Sequence, residues 1–202
     1  NNIGLLSQLA HAYVQSERPQ EAVRTLREYL ATHSGPVRKQ GQIALASVLY
    51  QTDAADEGAA IFKELIADEP DNASLRAIWA GHLASGEHWT PLQSLLADWT
   101  ARHPNDVTVP RRIAKELIAG GNPEGLRIAT ELLRSDIERH PESSGSYYLL
   151  AQAATMTGRT EEAISLNQKT LDLDPNNVIA INNLAWLLCE EQGQCQRALE
   201  LA

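Results

Sequence analysis

The sequence predicts an all-α protein built from repeated helical hairpins. Three observations point there. Prolines fall at 70, 104, 141 and 175, at intervals of 34, 37 and 34 residues. Each proline is followed by polar residues that cap helices well: Asp71-Asn72, Asn105-Asp106, Glu142-Ser143 and Asn176-Asn177. Proline cannot continue a helix, and Asn, Asp or Ser satisfies the first free N–H groups of the next one. The third observation is composition: 28 Ala and 27 Leu in 202 residues, both strong helix formers.

Each interval carries a second, softer break near its middle: Gln51-Thr52-Asp53, Ser85-Gly86-Glu87, Gly120-Gly121-Asn122-Pro123 and Thr157-Gly158-Arg159-Thr160. Each unit is thus two helices joined by a short turn. Apolar spacing agrees, since Tyr147, Leu150, Ala151 and Ala154 recur at three and four on one helix and Ala163, Ile164 and Leu171 face them from the next. Six units follow, starting near Ile3, Lys39, Ala73, Pro110, Ser144 and Val178, and residues 1–202 read as one domain. Unit one closes with Ser34-Gly35-Pro36, out of phase with the other prolines. Unit six has one extra residue in its turn, and its second helix is cut off. Unit four departs most, with Glu116 at an apolar position, Asp136 at a small one, and Gly120-Gly121 before its turn. These features predict a weak apolar seam and make residues 110–123 the most mobile internal segment.

This pattern resembles the tetratricopeptide repeat (TPR) family. The unit from Ser144 to Asn177 carries Tyr147, Leu150 and Ala151 in the first helix, Gly158 at the turn, Ala163 in the second helix and Pro175 at the close. Leu45, Ala46, Leu49, Gly58, Phe62 and Pro70 repeat those roles in unit two. The small first-helix residue is Ala10, Ala46, Ala80, Ala151 and Ala185 in five of six units. The resemblance implies a right-handed α-solenoid that binds a peptide or partner helix in a concave groove. Two further stretches, Leu95–Asp106 and Ile181–Leu188, are similar to those of large bacterial TPR proteins linked to exopolysaccharide export and surface-protein sorting. That likeness implies the bacterial envelope as the setting; the compartment is otherwise open between envelope and cytoplasm.

Other classes find little support. With 17 Lys and Arg against 26 Asp and Glu the net charge is −9, which would repel nucleic acid and anionic lipid. The longest apolar run, Leu184–Cys189, has six residues, far short of the roughly 20 that span a bilayer. The chain opens without Met and closes inside a helical pattern at Arg197–Ala202, so it is expected to be a piece of something longer. Phosphate-loop, nucleophile-elbow and zinc-protease motifs are absent, so the chain is expected to be no enzyme and to carry no cofactor or metal. Asp172-Leu173-Asp174 reads as a helix end. His33, His103 and His140 share one repeat position at a second helix's C-terminus, where an imidazole complements free carbonyls. His82 and His88 straddle a turn and lack a third ligand. Cys189 and Cys195, six apart, fit neither a zinc knuckle nor a redox pair. They read as two thiols beside a helix turn, bridged only in an oxidising compartment.

Trp79 and Trp99 fall on packing positions and are expected in the core. Trp186 falls on the inner face, either as a partner's anchor or as packing for a next repeat. The resemblance places the inner groove on the first helices. The richest stretch spans units four to six: Arg111, Lys115, Tyr148, Gln152, Asn182 and Trp186. Aromatic rings with polar tips, amides with both donor and acceptor, and two cations suit an extended acidic segment. The lining lacks the basic residues over consecutive units that carboxylate-clamp TPRs use. The leading expectation is a protein-interaction scaffold. Its rivals are a spacer that self-associates through the solenoid ends, and an accessory arm of an enzyme.

Overall fold

The computed structural model describes residues 3–191, 193, 195 and 196. Among them the chain is all-α, with no strand. Its helices are α1 (Ile3–Gln15), α2 (Pro19–Thr32), α3 (Gly35–Leu49), α4 (Ala55–Asp68), α5 (Ala73–Ser85) and α6 (Trp89–Arg102). They continue with α7 (Thr108–Gly120), α8 (Pro123–Arg139), α9 (Ser144–Met156), α10 (Thr160–Leu173) and α11 (Val178–Trp186), which runs into a π-helical stretch, Leu187–Glu191. Two compact units divide the chain, Asn1–His88 with α1 to α5 and Trp89–Ala202 with the rest.

Helix boundaries follow the capping chemistry. The Asn72 side chain accepts from Leu75 N at 3.0 Å, and Asn177 from Ala180 N at 3.1 Å. Asp106 accepts from Thr108 N and Val109 N at 3.0 and 3.2 Å. Each such cap contributes about 1 kcal/mol. α3 starts four residues before Lys39, because Gly35 takes φ 67° and Pro36 fits the first helical turn.

In Asn1–His88 the hairpin helices pair, α1 with α2 and α3 with α4, and the first helices stack, α1 on α3 and α3 on α5. Ala10, Ala22, Leu26, Leu45 and Leu49 form one core cluster with Leu6, Val14 and Ile61 against it. The close approach is visible at Gly58, where a Cβ would stand 2.9 Å from the Ala46 carbonyl oxygen. Beyond that core lies an aromatic group. Trp79 Nε1 donates to the Tyr50 hydroxyl at 2.7 Å, Phe62 stacks on Trp79 at 5.8 Å, and His82 stacks on Tyr50 at 5.3 Å.

In Trp89–Ala202 α7 pairs with α8 and α9 with α10, while α7 also packs on α9 and α10 on α11. Trp99 is buried, as Trp79 is in the first unit, so both indoles are core. His33 and His140 stand at helix C-caps and His103 follows α6 directly; His33 stacks on Tyr29, and the His103 ring lies tilted against Trp99 at 4.1 Å.

The fourth hairpin corrects the sequence register. Glu116 is exposed rather than seated in the seam. α7 instead buries Val109, Pro110, Ile113, Ala114, Leu117 and Ile118. The pair Ile113-Ala114 takes the place that Leu45-Ala46 and Leu150-Ala151 hold elsewhere, three residues ahead of the expected phase. The 17-residue α8, against 14 residues in α6 and α10, absorbs the difference. Gly120-Gly121 also serves the fold: Gly121 closes α7 at φ 68°, and Asn122 then caps α8 through Glu124 N and Gly125 N. Asp136 does occupy the small position and is 1% exposed. The Ser146 hydroxyl donates to its Oδ2, and Arg111 Nε stands 4.0 Å from the same oxygen. Its Oδ1 has no hydrogen-bond partner among the described residues.

A second correction concerns the cysteines, which are joined by a disulfide, Cys189–Cys195, with Cα atoms 4.1 Å apart. Among the described residues no helix is long and apolar enough to cross a membrane.

Two outcomes are expected. Burial pushes the His82 imidazole below its usual 6.5, so the folded chain resists protonation there. The unfolded chain then binds the proton first, and this contribution to stability, full above pH 6.5, is lost as pH falls through the folded value. Thermal unfolding between pH 7.5 and 5 checks this: wild type should lose more stability on acidification than His82→Phe, which keeps the stacking. Equal losses would contradict it. Ser146→Ala should cost about 1–3 kcal/mol in urea unfolding, because it strips from a buried carboxylate the only hydrogen bond it has among the described residues. Ser135→Ala, exposed on α8, should stay within about 0.5 kcal/mol.

Candidate functional site

The first helices of the second unit present one register to a shared groove. From α7 come Lys115, Ile118 and Ala119, and from α9 come Gln152, Thr155 and Met156. Asn183 and Trp186 of α11, with Leu187 beyond it, complete the lining of a cavity of about 470 Å³. Every helix contributes at i, i+3 and i+4, the spacing that puts three side chains on one face. Lys115, Gln152 and Trp186 each directly follow a seam alanine: Ala114, Ala151 and Ala185. Ala114 and Ala151 are buried and Ala185 is half-buried against the α10–α11 core, so the next side chain, about 100° further round, meets the groove.

The six residues singled out in the sequence fall into two equivalent triplets. Lys115, Gln152 and Trp186 line the groove together. Arg111, Tyr148 and Asn182, one turn earlier, are outside its lining. Arg111 turns to its own chain: its guanidinium donates to the Ser143 hydroxyl at 3.3 Å and the Val107 carbonyl at 3.2 Å, beside the buried Asp136. That carboxylate was legible in the sequence only as an oddity of unit four; its hold on Arg111 was not. Gln152 Nε2 donates to the Tyr148 hydroxyl at 2.7 Å, which orients the amide at the groove edge. Asn182 is exposed on α11.

Sequence reasoning missed Met156 and Asn183. For Met156 the signal was present, since counting four residues from Gln152 reaches it.

The groove's chemistry is mixed. Trp186 is 51% exposed and Met156 50%, so two large apolar surfaces face solvent side by side. Lys115 is the one charged residue in the lining, and it is exposed. Gln152 and Asn183 add amides that both donate and accept.

A second cavity, in Asn1–His88, is lined by Val23, Arg24, Arg27, Glu28, Leu49 and Asp53 among others. Its arginines are committed: Arg24 pairs with Glu21 at 2.6 Å, and Arg27 grips both oxygens of Glu57 at 2.7 Å. Among the described residues no three His, Cys, Asp or Glu side chains are grouped to hold a metal ion.

Comparison with known proteins agrees with the hairpin repeat. A tetratricopeptide repeat family model matches residues 7–73 and 116–178, and a second tetratricopeptide repeat model matches residues 166–200. Among solved structures, a tetratricopeptide repeat protein from Parabacteroides merdae ATCC 43184 is 12% identical, with a TM-score of 0.54 over 98% of this chain and 77% of that one. MamA 41-end from Desulfovibrio magneticus RS-1 is 17% identical over 100% of this chain and 91% of that one, at a TM-score of 0.44. No curated protein matches the chain. The matched repeats, the paired helices and the alanine seam lead to one conclusion: the chain belongs to the tetratricopeptide repeat family, all-α solenoids of helical hairpins.

Proposed function

We propose that the chain is a non-catalytic protein-interaction scaffold that holds an extended segment of a partner across α7, α9 and α11. One observation carries the reading: Trp186 and Met156 stand half-exposed in the same groove as Lys115, which has no ion pair among the described residues. An indole with a free face is a common anchor at interfaces. An apolar side chain of the partner fits between Trp186, Met156 and Ile118. An acidic side chain two or three residues away is drawn to Lys115, although the chain as a whole is acidic. Gln152 and Asn183 suit the partner's backbone. Arg111 drops out as a contact, since its guanidinium is engaged within the chain.

A second reading, self-association, is favoured by one other observation. Val178 and Ile179 at the start of α11 are 64% and 56% exposed, and both lie about two turns from Trp186. In that reading the α11 face packs against another copy.

The test begins with selection of binders from a random peptide display library. Selected peptides should combine a carboxylate with an aromatic or branched apolar residue. Fluorescence anisotropy should then show at least about tenfold weaker binding for Trp186→Ala and for Lys115→Glu. Lys169→Glu, the same charge change on the exposed side of α10, should bind as wild type. Equal loss in Lys169→Glu would refute the groove. A concentration-dependent mass abolished by Val178→Asp would favour self-association.

A further inference from the structure

The end of α11 carries the groove wall and the disulfide on adjoining turns. Trp186 and Leu187 line the groove, and Cys189 follows three residues after Trp186. Leu187 is 2% exposed and packs with Ala154 and Ala163; Leu188 packs with Leu171, Ala180 and Leu184. Between these contacts the backbone is π-helical over Leu187–Glu191. That form is rare and short-lived without support, and helix ends fray first. Two features hold it. Gly193, at φ 66°, donates its N–H to the Cys189 carbonyl at 3.1 Å. The Cys189–Cys195 bond then closes a loop of six positions over the same turn.

We propose that this disulfide is a reducible staple that fixes the groove wall, so that the redox state of Cys189 and Cys195 sets how well Trp186 and Leu187 are held. The regulatory consequence rests on the groove reading above; the staple itself does not. The two sulfurs are unequally placed, since Cys195 is exposed while Cys189 is half-buried against the α10–α11 core. A dithiol reductant therefore attacks through its thiolate at the Cys195 sulfur. The Cys189–Cys195 bond breaks, and Cys189 leaves as a thiolate that takes up a proton. The reductant's second thiol then attacks the mixed disulfide and releases Cys195. The dithiol loses two electrons and becomes a cyclic disulfide, and the protein gains two thiols. A closed short loop denies the chain its open states, and reduction restores them.

Hydrogen exchange with mass spectrometry on the 202-residue chain tests the staple without any binding partner. Dithiothreitol should speed exchange over residues 181–189 by at least about tenfold, while residues 144–156 change little. The double variant Cys189→Ser, Cys195→Ser should match the reduced protein with or without dithiothreitol, which separates the bond from other effects of the reductant. Two results would overturn the proposal: unchanged exchange over 181–189 on reduction, or two titratable thiols in protein purified in air. The peptide affinities of Trp186→Ala and Lys115→Glu are measured separately, so failure of the groove reading leaves this result standing.

Discussion

A small residue on each first helix is the constraint on which the rest of this molecule depends. Ala10, Ala46, Ala80, Ala114 and Ala151 are all 3% exposed or less. Packed helix axes lie about 8–10 Å apart, and the closest approaches need small residues at the contact. At Gly58 the approach leaves no room even for a methyl group beside the Ala46 carbonyl. Larger apolar side chains then close over the crossing, such as Leu26, Leu49, Leu92 and Leu133, each at or below 1% exposure. Burying each of these stabilises the fold by about 1.5–3 kcal/mol. The ion pairs that join second helices, Arg27 to Glu57 and Arg134 to Glu162, are exposed. Such pairs contribute at most about 1 kcal/mol each, so they decorate the stack rather than hold it.

The groove follows from the same constraint. Fixing the alanine toward its neighbouring helix fixes the rotation of the helix, and so fixes which side chain comes next into the open. In α7, α9 and α11 that side chain is Lys115, Gln152 and Trp186. Chemistry at the groove is therefore free to vary while the seam stays small. The buried Asp136 shows the converse. A charge placed in the seam recruits Arg111 and Ser146 from neighbouring helices, and a cation that the sequence offers to the groove is spent on packing.

Much of the fold was legible because proline, the capping residues and alanine act locally. Pro70, Pro141 and Pro175 each follow a helix end, and Asn72 and Asn177 cap the next helix. The register of unit four was not legible. Glu116 could be placed only by counting from Pro110, whereas the structure counts from Ala114, and the long α8 hides the offset. Of the six residues singled out, three line the cavity and three do not, for a related reason. Residues −3 and +1 from the alanine share a helical face, and sequence spacing cannot tell which of the two turns lines the cavity. Arg111 needed Asp136, 25 positions away in the chain, to reveal its role. The cysteine pairing depended on how tightly the turn after Leu188 folds back, which spacing does not report.

The account stands or falls on the seam, and one comparison reaches it directly. Ala114 and Ala119 lie on the same helix, one buried and one exposed in the groove lining. Replacing each by Leu adds the same side chain at nearly the same helix propensity. Urea unfolding should show Ala114→Leu destabilised by about 1–3 kcal/mol through overpacking, with Ala119→Leu within about 0.5 kcal/mol of wild type. If Ala114→Leu costs no more than Ala119→Leu, close approach at the alanine does not hold the hairpins together.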